Sequence, residues 1–199
     1  VHMLSKDTAR LLVQPEFESG LPYRSVMVVQ RDSSATGLAD LAGKDVSFSD
    51  RESFTGCLVP CLSVVDLGRD PAAFFGNVVY TGSHDQSIEA VDRGLVDAAA
   101  LHSIVWDSAV RNEPALAQRL KEIWWSDTYG PPPVVVPCAG DSELQGALRD
   151  AFLALHTDLE GSEILRELGI RRFVSARPAD YQTAVDVYER LQKATESIP

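Results

Sequence analysis

Ser53, Thr55 and Gly56 stand where a short strand, Val46 to Phe48, runs through a polar turn toward a helix expected to open at Thr55 or Gly56. The two hydroxyls fall where the first N–H groups of a helix need acceptors. Glycine removes the Cβ that would keep a ligand from those N–H groups. Free amides at a helix start, backed by hydroxyls, make a ready anion site. Taken alone, the pattern describes an ordinary N-cap equally well. A second polar turn, Gly82-Ser83-His84-Asp85-Gln86, follows the strand-like run Asn77 to Thr81 and adds an imidazole. Ser83 with Gln86 three residues on is a capping-box pattern. His102-Ser103 closes a third strand-like run, Leu95 to Leu101; His102 is read as outside the site, and Asp85 and Asp97 as structural.

The elements that must position these groups alternate. Strand runs at Lys44–Ser49, 77–81 and 95–101 are each followed by a helical pattern, with Leu58, Val59, Leu62 and Val65, then Ile88, Val91 and Leu95, then Trp106 and Val110 on the inner faces. Successive strand–helix steps imply right-handed βαβ units and mainly parallel sheets. Ligands of such sheets bind beyond the carboxyl ends of the strands, so the three polar turns should meet on one rim. Upstream, Ala9 to Val13 reads as a strand, Glu16 to Leu21 as a loop and Tyr23 to Gln30 as a buried strand. Downstream come strands at 122–125 and 133–136, helices from Ser142 and around 162–168, and a last helix from Asp180 to Ala194.

The 199 residues carry a formal net charge of -11, with a pI near 4.7. That balance argues against nucleic acid or an anionic membrane surface as a partner, because both repel a negative field. A small anion answers to local donors instead. Hydrophobic residues make up 45% and charged residues 24%, and no apolar run reaches membrane-spanning length. The opening residues Val1 to Ser5 lack the apolar segment of a secretory signal. Cys57 and Cys61 lie four apart on one helix face without further ligands at zinc spacing, so they and Cys138 read as small core residues. No Ser-His-Asp order, metal cluster or phosphate-loop motif is found, and no cofactor is expected.

Six runs, in order and at fitting intervals, resemble one family. They are Tyr23-Arg24-Ser25-Val26, Leu38 to Lys44, Phe48 to Pro60, Thr81 to Asp85, Val96 to Ala100 and Leu168-Gly169-Ile170. Together they are similar to the phosphonate- and phosphate-type periplasmic substrate-binding proteins of ABC importers. That resemblance implies an α/β chain of the type 2 binding-protein fold with two lobes. Lobe two is expected at residues 32–112, and lobe one at 1–31 and 113–199. It implies capture of a small tetrahedral oxyanion (phosphonate, phosphate or phosphite), a permease partner and a periplasmic location, though without a signal segment the sequence leaves a cytoplasmic one open. By position, the ligand-binding residues it implies are Tyr23, Ser53, Phe54, Thr55, Gly56, Ser83 and His84.

Three departures qualify the resemblance. The family loop S-T-S-G has Phe54 in place of its middle threonine. The two carboxylates that hold an ammonium group in aminoalkylphosphonate binders correspond to Ile104 and Pro132. The family also has a further half-lobe ahead of the matching part, so lobe one is expected to be incomplete and to invite a homodimer. The rival readings are a relict or regulatory domain of the same fold without strong ligand binding, and an enzyme with His84 as general acid or base.

Overall fold

The structure, a computed structural model, describes residues 8–194. In chain order it contains β1 (Ala9–Phe17), β2 (Ser25–Gln30), a 3-10 turn (Leu38–Leu41), β3 (Val46–Phe48), a π-helical turn (Phe54–Leu58) and α1 (Val59–Asp66). There follow α2 (Pro71–Phe74), β4 (Val78–Tyr80), α3 (His84–Asp92), β5 (Ala98–His102), α4 (Ser103–Asn112), α5 (Leu116–Arg119) and β6 (Leu120–Trp125). The remainder is β7 (Val134–Pro137), α6 (Ser142–Ala154), a 3-10 turn (Leu155–Thr157), α7 (Leu159–Glu167), β8 (Ile170–Ser175), a 3-10 turn (Pro178–Tyr181) and α8 (Gln182–Ala194). Among the described residues no helix is long and apolar enough to cross a membrane.

The chain forms two units, passing between them after Leu21, Thr128 and Asp186. The larger holds a five-stranded sheet in the order β4-β3-β5-β2-β6. The strand–helix steps make β4, β3 and β5 parallel, as their alternation requires, while β2 runs antiparallel between β5 and β6. Val26 to Val29 are fully buried, because β2 is an interior strand with neighbours on both edges. One core cluster joins Val26 and Val28 to Ile88, Val91, Leu101, Trp106 and Leu120. The division therefore differs from the expected one. β2 and β6, assigned by sequence to the other lobe, belong to this sheet, and the boundaries fall at 21/22 and 128/129 rather than 31/32 and 112/113. Local patterning marks a strand as buried but not which sheet buries it.

The smaller unit holds an antiparallel sheet, β7-β1-β8. Parallel pairing does not extend to it. β1 runs to Phe17, past the expected end at Val13, and its pairing with β8 takes in Glu16 and Phe17, the first residues of the stretch read as loop. β8 was not expected at all: its sequence Ile-Arg-Arg-Phe-Val-Ser buries little, and neither period stands out. Leu12, Val13 and Val136 form the core here, with Phe152 and Phe173 edge to face at 4.9 Å. Helix α6 has no buried residue, and Leu144, Leu148, Leu159, Ile164 and Leu168 are exposed.

Candidate functional site

All the residues expected to bind the ligand, Tyr23, Ser53 to Gly56, Ser83 and His84, lie in the larger unit. The turn after β3 is pinned first. Ser53 caps the helical segment: its Oγ accepts the Gly56 N–H at 3.2 Å, and its carbonyl accepts the Leu58 N–H at 3.0 Å, a π-type interval of five. Val59 likewise donates to Phe54 O, so the helix opens at Phe54 as a π turn, one to two residues before the expected start. Pro60 explains the register. It has no N–H to continue the π ladder and sits near the start of α1, where a proline is tolerated. The carbonyl of Thr55 is thereby left without a helical donor. Val59, its α-type partner, already donates to Phe54, and its π-type partner is Pro60. Ser25 Oγ fills the gap, donating to Thr55 O at 2.6 Å from a fully buried position.

Backbone bonds then bring the other two turns alongside. Thr81 N–H donates to Phe48 O at 3.0 Å and Gly82 N–H to Ser49 O at 2.8 Å, which ties the loop before α3 to the loop after β3. Ser103 N–H donates to Arg24 O at 3.0 Å and Ser103 Oγ to Pro22 O at 2.9 Å, so the start of α4 holds both flanks of Tyr23. The rim predicted from the strand ends is thus built by main-chain bonds between successive turns.

The side chains form a ring. A Cβ placed on Gly56 would lie 2.3 Å from Ser49 Oγ, 2.7 Å from Ser53 Oγ and 2.9 Å from His84 Cε1. Only glycine lets these three groups converge there. His102 N–H donates to His84 Nδ1 at 3.4 Å, and the two imidazole centroids are 5.8 Å apart. The His102 ring meets Tyr23 edge-on at 4.5 Å. Tyr23, buried, shares a hydrogen bond with the side chain of Thr55 and stacks with Phe54 at 6.5 Å, which closes the ring.

Burial sets the electrostatics. Desolvation holds the Tyr23 phenol above its usual 10, partly offset by the Thr55 hydrogen bond. Desolvation lowers His84, against the pull of Asp85, Asp50 and the Ala100 carbonyl, which favour its charged form. His102 is pushed down to about 4 by burial and then by His84. Its Nδ1 accepts the Ile104 N–H at 3.0 Å as the cap of α4, so the neutral ring carries its proton on Nε2. Near neutral pH the ring of contacts offers hydroxyl and imidazole donors and no formal charge.

Of the residues singled out by sequence, the structure brings together Tyr23, Ser53, Phe54, Thr55, Gly56 and His84. Ser83 caps α3, its Oγ accepting the Gln86 N–H at 3.2 Å, and stands beside the ring rather than in it. The amide of Gly56, expected to be free, is taken by Ser53, whose own hydroxyl proton remains to be donated. Three residues were missed. His102 is in the ring; its place at a strand's carboxyl end was the available signal. Ser25 braces Thr55, a link between residues thirty apart that no local pattern announces. Ser49 Oγ is buried beside Gly56 and has no hydrogen-bond partner among the described residues. Ile104 is buried and Pro132 exposed in the other unit, so neither brings charge to the ring. Cys57 and Cys61 are fully buried, the thiol of Cys61 pushed up first by its contact with Cys57 and then by burial.

Residues 1–181 match the family model for the periplasmic substrate-binding protein of phosphonate ABC transporters. A probable ABC transporter phosphite binding protein of Prochlorococcus marinus (strain MIT 9301) is 25% identical over 187 residues, covering 86% of this chain and 62% of that protein. A phosphonates-binding periplasmic protein of Escherichia coli (strain K12) is 28% identical over 171 residues, covering 83% of this chain and 50% of that protein. The chain thus spans half to about three-fifths of these curated relatives. A solved Prochlorococcus marinus protein in complex with methylphosphonate superposes with a TM-score of 0.81 at 24% identity, over 96% of this chain and 74% of that one. The fold is that of type 2 periplasmic binding proteins, of which the two α/β units form part.

Proposed function

As a member of the family of periplasmic substrate-binding proteins of phosphonate ABC transporters, the chain has a ring of donors that needs a ligand, and we propose that it reversibly captures a small tetrahedral oxyanion: phosphonate, phosphate or phosphite. The observation that carries this reading is the convergence of Ser49 Oγ, Ser53 Oγ and His84 on Gly56 at a helix start. A bound oxyanion loses its hydration shell, and it needs several donors to replace it. Ser53, Thr55 and His84 supply them, and Tyr23 and Phe54 wall the place with aromatic surface. The ligands for which these relatives are named, phosphite and phosphonates, belong to the same chemical class.

In this reading no bond of the ligand is made or broken. The ligand is handed on to the permease of an importer, and the working location is outside the cytoplasm. Calorimetry against phosphite, phosphate, methylphosphonate and sulfate tests it. Saturable binding to at least one, weakened by Ser53→Ala, supports capture at this site; no heat with any of the four overturns it. A turnover assay on the same compounds that showed product would move His84 to a catalytic role.

A further inference from the structure

Building on the oxyanion reading of the preceding subsection, we propose that capture at this site takes up one proton, carried by His84, with His102 held neutral beside it. None of the residues that form the ring carries a built-in positive charge. Tyr23, Ser53, Thr55, Gly56 and the two neutral imidazoles make up the ring, and the carboxylates of Asp50 and Asp85 already act on His84. A dianion placed here meets donors and dipoles but no counter-charge, and burying an uncompensated charge is costly. A proton from solvent on His84 supplies the missing charge where the ligand needs it.

The geometry favours one imidazole of the pair. His102 Nδ1 is committed to the Ile104 N–H at 3.0 Å, and a proton there would break the cap of α4. His102 therefore stays neutral, its ring also edge-packed on Tyr23 at 4.5 Å. His84 has an alternative. Its Nδ1 accepts the His102 N–H only at 3.4 Å, while the Ala100 carbonyl, two residues back on β5, favours the protonated ring. Protonation at His84 thus exchanges this long hydrogen bond for the Ala100 acceptor, whereas at His102 it loses the shorter cap bond to Ile104. With centroids 5.8 Å apart, the two rings do not both carry charge.

The coupling has a direction. An anion beside His84 favours its charged form, so binding raises the imidazole midpoint, and by linkage affinity rises as pH falls between the free and bound midpoints. One coupled proton gives at most about tenfold per pH unit in that window. The histidine side-chain signals of the whole chain are followed by NMR from pH 4.5 to 8, with and without saturating methylphosphonate. The expected result is a His84 midpoint raised by at least one pH unit while His102 stays neutral above pH 5. Calorimetry in buffers of different ionisation enthalpy then counts the protons taken up, and the count falls in His84→Gln to that of the ligand alone. Binding of methylphosphonate with both midpoints unmoved, or with equal proton counts in the two chains, overturns the coupling and leaves the oxyanion reading standing. Absence of binding at every pH overturns the oxyanion reading itself.

Discussion

The imidazole rings of His84 and His102 stand 5.8 Å apart at 71°, joined by the backbone N–H of one and Nδ1 of the other. Residues eighteen apart in sequence thus share one hydrogen bond and one desolvated environment.

A pH dependence of stability follows. His102 has a midpoint of about 4 when folded against an ordinary 6.5. Between those values the unfolded chain binds more protons, so stability is full above about 6.5, falls as pH drops and levels off below about 4. His102→Asn keeps a cap acceptor for Ile104 and cannot titrate. Melting temperature followed from pH 7.5 to 4 should fall less steeply in this variant than in the parent. Parallel curves would show that His102 is not desolvated.

Gly56→Ala should damage both the fold of the turn and the site. The new methyl would lie within 3 Å of Ser49 Oγ, Ser53 Oγ and His84 Cε1. Overpacking of this kind costs about 1–3 kcal/mol. Ligand affinity should drop at least tenfold, because relief requires moving donors of the ring. Urea unfolding and calorimetry on the same preparation check the two parts separately.

Ser25→Ala removes the hydroxyl that donates to Thr55 O. Leaving that buried carbonyl unsatisfied should cost about 1–3 kcal/mol in urea unfolding. Ser25→Thr, with a hydroxyl retained, should recover part of the loss. A parent-like Ser25→Ala would mean that water reaches Thr55 O.

Ser53→Ala and Thr55→Val should each weaken oxyanion binding by about 1–3 kcal/mol. Ser53→Ala should also loosen the helix start, since the Gly56 N–H loses its cap. Calorimetric affinities alongside thermal melts separate lost contact from lost capping. Two variants that bind as the parent does would place the site elsewhere.

Ligand choice follows from two uncharged positions. Ile104 is buried and apolar, and Pro132 carries no charge, so an ammonium group finds no partner at either. An aminoalkylphosphonate should bind no more than tenfold better than methylphosphonate, a margin of about 1.4 kcal/mol. A larger preference in competition calorimetry would assign the ammonium to another acid, with exposed Asp127 the first to mutate.

The sequence by itself determined which turns should come together. Ser53, Thr55, Gly56 and His84 were marked by local rules: hydroxyls before a helix, a glycine where a Cβ would intrude, and polar turns at the ends of apolar strands. These depend on a few neighbouring residues, so they are legible without a fold. Tertiary structure decided the rest. Whether β2 belonged with β5 and β6, whether Thr55 O had a donor, and whether His102 was a bland cap or a member of the ring all depend on partners thirty to a hundred residues away. Ser25 reaches Thr55 because β2 lies beside β5, and His102 reaches Tyr23 because Ser25 pairs with His102 across those strands. Pairing of that kind is fixed by which sheet buries a strand on both edges, and periodicity records only that it is buried.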